Sequence, residues 1–117
     1  MVVILYSEHV KSIGIEHLKR SLDNGEKVRL LDVRSRADFQ KEHIKGAQSM
    51  PLDELEKKAG NMLDKDENII TYCDSFVCSS STSGAKILVK QGFKNVKDYK
   101  GGLREWKQAG YPTETGS

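Results

Sequence analysis

The sequence is poor in the features that mark specialised classes of protein. Of its 117 residues two are cysteines, Cys73 and Cys78. That is too few for the disulfide framework of a small secreted domain, and in a reducing compartment such a pair is not expected to form a structural staple. Reactivity and simple burial remain as reasons for the two thiols. No charge of one sign dominates, since 19 Lys and Arg stand against 17 Asp and Glu for a formal net charge of +2. The signs interleave, as at Lys57, Lys58, Asp64, Lys65, Asp66 and Glu67, so no basic stripe points to a nucleic-acid partner. Long apolar runs are also missing. Met1–Tyr6 (MVVILY) is far too short to span a membrane and lacks the basic flank of a signal peptide, which makes cytoplasmic residence the expectation and a membrane partner unexpected. No second ligand cluster accompanies the cysteines at metal spacing, so neither a metal nor a cofactor is expected.

What is present is the pattern of one α/β domain, 1–117, with a core over about 12–112. The length suits a single hydrophobic core, and 37% hydrophobic with 31% charged residues suits a globular fold. Apolar residues spaced as Ile15, Leu18 and Leu22 predict an amphipathic helix that ends at Asn24-Gly25 in a left-handed turn. Val28–Val33 reads as a strand, Ser35 as a helix cap, 36–42 as a short helix, and Ala47–Met50 as a short strand. Leu52–Leu63 is a helix with Pro51 at its first turn. Asn68–Cys73 (NIITYC) has the character of a buried strand. A helix carrying Ala85, Leu88 and Val89 and ended by Gly92 follows, then a strand at Asn95–Tyr99 and a helix at Leu103–Ala109. Thr113–Ser117 reads as a loose tail. Strands and helices alternating at this pitch predict a parallel sheet covered on both faces.

In such sheets the ligand lies beyond the carboxyl ends of the strands, often where a loop feeds a helix amino terminus. Cys73 falls there. The loop Asp74–Ser81 leads into a helix whose free N–H groups and positive dipole end favour a thiolate or bind an anion, and a cysteine so placed is expected to be nucleophilic. Asp74 opposes this unless its carboxylate points away or caps the loop. The plainer readings are a small buried hydrophobe for Cys73 and helix caps for the serines.

Four segments in order resemble a known family. They are Leu30-Leu-Asp-Val-Arg34 with Asp38-Phe39, His43-Ile-Lys-Gly-Ala47, Thr71-Tyr-Cys73, and Gly92-Phe93 through Tyr99-Lys-Gly-Gly-Leu-Arg-Glu-Trp106 with Ala109-Gly-Tyr-Pro112. Together they resemble the single-domain rhodaneses, a sulfurtransferase family, over nearly the whole chain. The resemblance implies a five-stranded, mostly parallel sheet flanked by helices on both faces. It also implies transfer of sulfane sulfur through a cysteine persulfide. Carried onto this chain, the catalytic nucleophile is Cys73 and the substrate-binding loop is Asp74, Ser75, Phe76, Val77, Cys78, Ser79 and Ser80. The implied partners are a small sulfur-donor anion or persulfide, a thiol acceptor, and a sulfur-acceptor protein. Asp32 with Arg34, His43 and Trp106 read as structural: a polar bridge at a strand end, a satisfied histidine and a core side chain.

The loop departs from the family pattern. No Lys or Arg lies between Cys73 and Ala85, and the loop is about two residues longer than the common form. Ser75, Ser79, Ser80, Ser81, Thr82 and Ser83 supply neutral donors in place of a guanidinium, which puts thiosulfate in question as the best donor. The sixth residue after Cys73 is Ser79, not the Arg of a Cys-x5-Arg phosphatase loop, so phosphatase activity is not expected. Cys78 has two readings: a resolving thiol that attacks a Cys73 persulfide, or a wall of the pocket packed beside Phe76 and Val77. Three functions follow: an enzyme transferring sulfur, a non-catalytic binding or sulfur-carrier module, and a Cys73/Cys78 thiol-disulfide redox protein.

Overall fold

The computed structural model describes residues 10–117; the expectation for Met1–Tyr6 lies outside them. Along the chain come β1 (Lys11–Ser12), α1 (Ile15–Asp23), β2 (Val28–Asp32), α2 (Arg36–Lys41), β3 (His43–Ile44) and β4 (Gln48–Ser49). Then follow α3 (Leu52–Met62), β5 (Asn68–Tyr72), α4 (Ser80–Lys90), β6 (Asn95–Tyr99), α5 (Gly102–Gln108) and β7 (Thr113–Glu114). Five strands form one parallel sheet in the order β1-β6-β5-β2-β4. The α/β architecture expected from the alternating pattern is therefore present. No helix among the described residues is long and apolar enough to cross a membrane.

β5 is the middle strand, and all its residues after Asn68 are buried. The pleat sends alternate side chains to opposite faces. Leu31, Ile69 and Val96 face α3 and α4, where they meet Leu55, Ala59, Ala85 and Leu88. Leu30, Ile70, Tyr72 and Tyr99 face the other way, against Leu18 of α1 and Leu103 and Trp106 of α5. Local signals set the element ends. Gly25, with φ +72°, ends α1 as the Asn24-Gly25 pair predicts. The Ser35 hydroxyl caps α2 by accepting from Asp38 N–H at 3.1 Å. Pro51 sits one residue before α3, where its carbonyl accepts the N–H of Leu55 at 3.0 Å.

The chain end differs from expectation. Thr113–Glu114 is not loose but pairs antiparallel with His43–Ile44, and Gly116 N–H donates to the Gln40 carbonyl at 2.8 Å. These two-residue strands carry no alternation to detect, because their register is fixed by a pairing across the fold. The same reason hides β1, two exposed residues paired to β6.

A buried polar bridge fixes the turn after β2, as the Asp32 and Arg34 pair led us to expect. Arg34 Nε and Nη2 donate to the two Asp32 carboxylate oxygens at 3.0 and 2.8 Å, and Nη2 also donates to the Glu42 carbonyl at 2.6 Å. Burial opposes the Arg34 charge, but the hydrogen bond and charge of Asp32 outweigh it and hold the guanidinium pKa above its ordinary value. The fully buried Tyr72 hydroxyl completes the bridge, donating to Asp32 Oδ2 at 2.6 Å and accepting from Ile44 N–H at 3.1 Å. Burial first, then the Asp32 charge and hydrogen bond, push the phenol pKa up. The folded chain thus resists an ionisation that the unfolded chain undergoes above about pH 10, so this contribution is present at neutral pH and declines as pH rises through that range. Tyr72→Phe, which orphans the buried Ile44 N–H and removes one of the donors to Asp32 Oδ2, is expected to cost about 1–3 kcal/mol at pH 7. In denaturant titrations that deficit should narrow above about pH 10; a deficit independent of pH would contradict the suppressed ionisation.

Candidate active site

Cys73 follows the central strand directly and is 4% exposed. Its carbonyl and that of Asp74 accept hydrogen bonds from Leu103 N–H (3.1 Å) and Arg104 N–H (2.9 Å), two otherwise unpartnered donors in the first turn of α5. Such an approach requires glycine at position 102. Its φ is +68°, and an added Cβ would lie 2.7 Å from the Cys73 carbonyl oxygen and the Asp74 carbonyl carbon. On the far side of the loop, Thr71 Oγ1 donates to the Ser81 carbonyl at 2.9 Å and Thr82 Oγ1 to Asp98 Oδ2 at 2.5 Å, tying α4 to β5 and β6. The loop between Cys73 and Ser80 is therefore held at both ends.

Within it, Cys78 N–H donates to the Ser75 carbonyl at 3.0 Å and closes a turn through Phe76 and Val77. The turn returns Cys78 to Cys73, and the two sulfurs are bonded, with Cα atoms 6.3 Å apart. No structural staple is expected of such a pair in a reducing compartment, but a bond within the loop is the state that the resolving and thiol-disulfide readings of Cys78 allow. The two positions are five apart in sequence, so the chain-entropy gain from closing so short a ring is only about 2 kcal/mol, less than for a bridge closing a long loop. The bond joins ends that are already anchored. Its larger consequence is chemical, because Cys73 must be reduced before its sulfur can act as a nucleophile.

The remaining expected residues divide. Asp74 is exposed, with its carboxylate 3.9 Å from Arg34 Nη1, which offsets its charge next to Cys73. Phe76 and Val77 are 66% and 94% exposed, whereas Cys78 after them is half-buried. Ser79 makes no side-chain cap, leaving its hydroxyl and that of Ser80 at the helix start. The Thr82 hydroxyl is engaged with Asp98 and is not a free donor, and Ser81 is buried, its carbonyl accepting from Thr71. His43 is buried, stacked on Phe39, and its Nδ1 lies 2.7 Å from the Phe39 carbonyl oxygen. Trp106 is core, its Nε1–H donating to the Pro112 carbonyl at 2.8 Å.

Residues 15–109 match the family profile of the rhodanese-like domain. The chain belongs to the rhodanese-like family. Thiosulfate sulfurtransferase GlpE of Coxiella burnetii is 36% identical over 84 residues, 72% of this chain and 75% of that protein. YrkF of Bacillus subtilis, provisionally named a sulfur carrier protein, is 36% identical over 97 residues, 83% of this chain; the chain spans about half, 51%, of YrkF. The crystal structure of the Alr3790 protein from Anabaena sp. superposes with a TM-score of 0.83 at 34% identity, covering 89% of this chain and 80% of that one.

This rhodanese-like chain lacks a cation inside its cysteine loop, but the fold brings one from elsewhere. Arg104 borders an open cleft of about 340 Å³ with Ser75, Phe76, Val77, Glu105 and Gln108, the Glu105 carboxylate accepting from the Tyr99 hydroxyl at 2.8 Å. With Lys107 and Asp74 it borders a second of about 270 Å³. Sequence reasoning missed Arg104 because it sought the cation only between Cys73 and Ala85. The signal available was the Gly101-Gly102 pair just ahead of it, which permits the close approach of α5 to the loop. A cavity of about 500 Å³ between Arg36, Phe39, Met50, Lys58 and Met62 does not touch the loop; the candidate site is picked out by chemistry, not by volume.

Gly102→Ala is expected to lower stability by more than the roughly 1–2 kcal/mol of a left-handed backbone alone, and to slow Cys73 alkylation in the reduced protein. Gly110→Ala, with φ +78° and nothing within 4 Å of an added Cβ, carries the strain without the clash. It should leave Cys73 reactivity intact. Equal effects of the two variants on stability and alkylation would contradict the anchoring role of Gly102.

Proposed function

We propose that the reduced chain is a sulfurtransferase in which Cys73 carries sulfane sulfur as a persulfide. The observation that supports this most is the placement of Cys73: at the end of the central strand, its carbonyl gripped by α5, with the start of α4 across the loop. The Cys73 thiolate attacks the outer sulfur of thiosulfate, the S–S bond of the donor breaks, and sulfite leaves with the electron pair. An acceptor thiolate then attacks the terminal sulfur of the persulfide, taking it as a new persulfide and returning Cys73 as thiolate. Polysulfide and low-molecular-weight persulfides enter by the same displacement. N–H groups at the start of α4 and the cation Arg104 favour the negative charge of donor and leaving group. With no guanidinium inside the loop, thiosulfate is the weaker donor and polysulfide or a persulfide the stronger. A protein acceptor is favoured by Phe76 and Val77, apolar side chains exposed at the loop tip next to the sulfur.

A sulfur-carrier module is the second reading, favoured by the name given to YrkF and by the loop's missing cation. The two differ in turnover. With reduced protein, thiosulfate and a small thiol acceptor, an enzyme releases sulfite over many cycles, whereas a carrier releases one equivalent and stops. Cys73→Ser is expected to lose turnover by about a thousandfold or more. Sulfite release limited to a single equivalent in the native chain would favour the carrier, and unchanged turnover in Cys73→Ser would contradict the assignment of the nucleophile.

A further inference from the structure

The Cys73–Cys78 bond is the part of the loop that sulfur transfer to an external acceptor does not use. We propose that Cys78 resolves the Cys73 persulfide, making the chain a dithiol-dependent reductase that releases sulfane sulfur as sulfide. The inference rests on the persulfide reading above. In the step, the Cys78 thiol gives its proton to water and its thiolate attacks Cys73 Sγ. The Sγ–S bond of the persulfide breaks, the outer sulfur leaves as hydrosulfide with the electron pair, and the product is the Cys73–Cys78 disulfide. Sulfane sulfur is reduced by two electrons, and the two thiols of the chain are oxidised by the same two.

The product of that step is the state the structure holds. The turn closed by Cys78 N–H on the Ser75 carbonyl delivers the second sulfur to Cys73 while Leu103 and Arg104 hold the Cys73 and Asp74 carbonyls in place. A Cα separation of 6.3 Å lies within the ordinary range for a disulfide, so closure does not require the anchored strand end to move. The two sulfurs also differ in access. Cys73 is buried at 4%, whereas Cys78 is half-buried beside the solvent-exposed Phe76 and Val77. An external dithiol therefore attacks Cys78 Sγ, Cys73 leaves as thiolate ready for the next donor, and the second thiol of the reductant frees Cys78. A cysteine retained only for packing would not be expected on a loop whose neighbours face water.

Single-turnover chemistry tests this without any acceptor. The full chain is reduced, freed of reductant, and exposed to one equivalent of inorganic polysulfide in the absence of oxygen. Sulfide release and intact mass are followed for the native chain, Cys78→Ser and Cys78→Ala. The native chain is expected to release sulfide and end lighter by two hydrogens. Both Cys78 variants should instead keep the mass of one added sulfur and release sulfide more slowly by about tenfold or more, until an external thiol is supplied. A native chain that holds the added sulfur with a free Cys78 thiol, matching the variants, overturns the resolving role and leaves the persulfide reading standing. No added sulfur and no sulfide from any of the three chains overturns both. The native result alone is decisive if the substituted loops fail to fold.

Discussion

Two backbone hydrogen bonds, from the first turn of α5 to the carbonyls of Cys73 and Asp74, determine where the Cys73 sulfur sits. A strand end is ordinarily free to fray. Here it is clamped to the amino end of a helix at a distance that tolerates no side chain at Gly102. The clamp in turn depends on the core: Leu103 and Trp106 bury α5 against Tyr72 and Tyr99, so the helix that grips the loop is itself fixed by the strand it grips. On the opposite face, Thr71 and Thr82 tie the start of α4 to β5 and β6. The cysteine loop is thus a bridge between two elements packed on opposite faces of one sheet.

That arrangement explains how much was legible in the sequence. β5 declares itself because a strand buried on both faces favours β-branched and aromatic residues, and Ile69, Ile70, Thr71 and Tyr72 are all of that kind. The cysteine directly after it and the serines before a helical pattern mark the site for the same local reason. Asp32, Arg34 and Tyr72 were readable only in part: the first two are neighbours at a turn, but the Tyr72 hydroxyl that joins them comes from a residue forty positions away. The β3–β7 pairing and the approach of Arg104 to the loop are tertiary facts with no local pattern. The bond between Cys73 and Cys78 was open in the sequence only as an outcome of loop chemistry, because cysteine count and compartment argue about staples, whereas this pair closes a small ring within one loop.

The same loop carries the chemical choice. The loop has no arginine of its own, and Arg104 stands at the rim of the cleft beside it. In the sulfur transfer we propose, backbone N–H groups and two serine hydroxyls would meet the anionic donor, a set that discriminates weakly among anions and leaves more of the selection to the sulfur itself, the softer and more easily displaced centre. On the same proposal the second thiol gives the captured sulfur another fate besides transfer to a partner.

The placement of sulfur on one thiol and not the other is the central claim. Fully reduced protein, mixed with thiosulfate and quenched by alkylation within the first turnover, should yield peptides in which the extra sulfur sits on Cys73, giving way with time to the Cys73–Cys78 disulfide. Extra sulfur on Cys78 with Cys73 alkylated as a plain thiol would contradict the account.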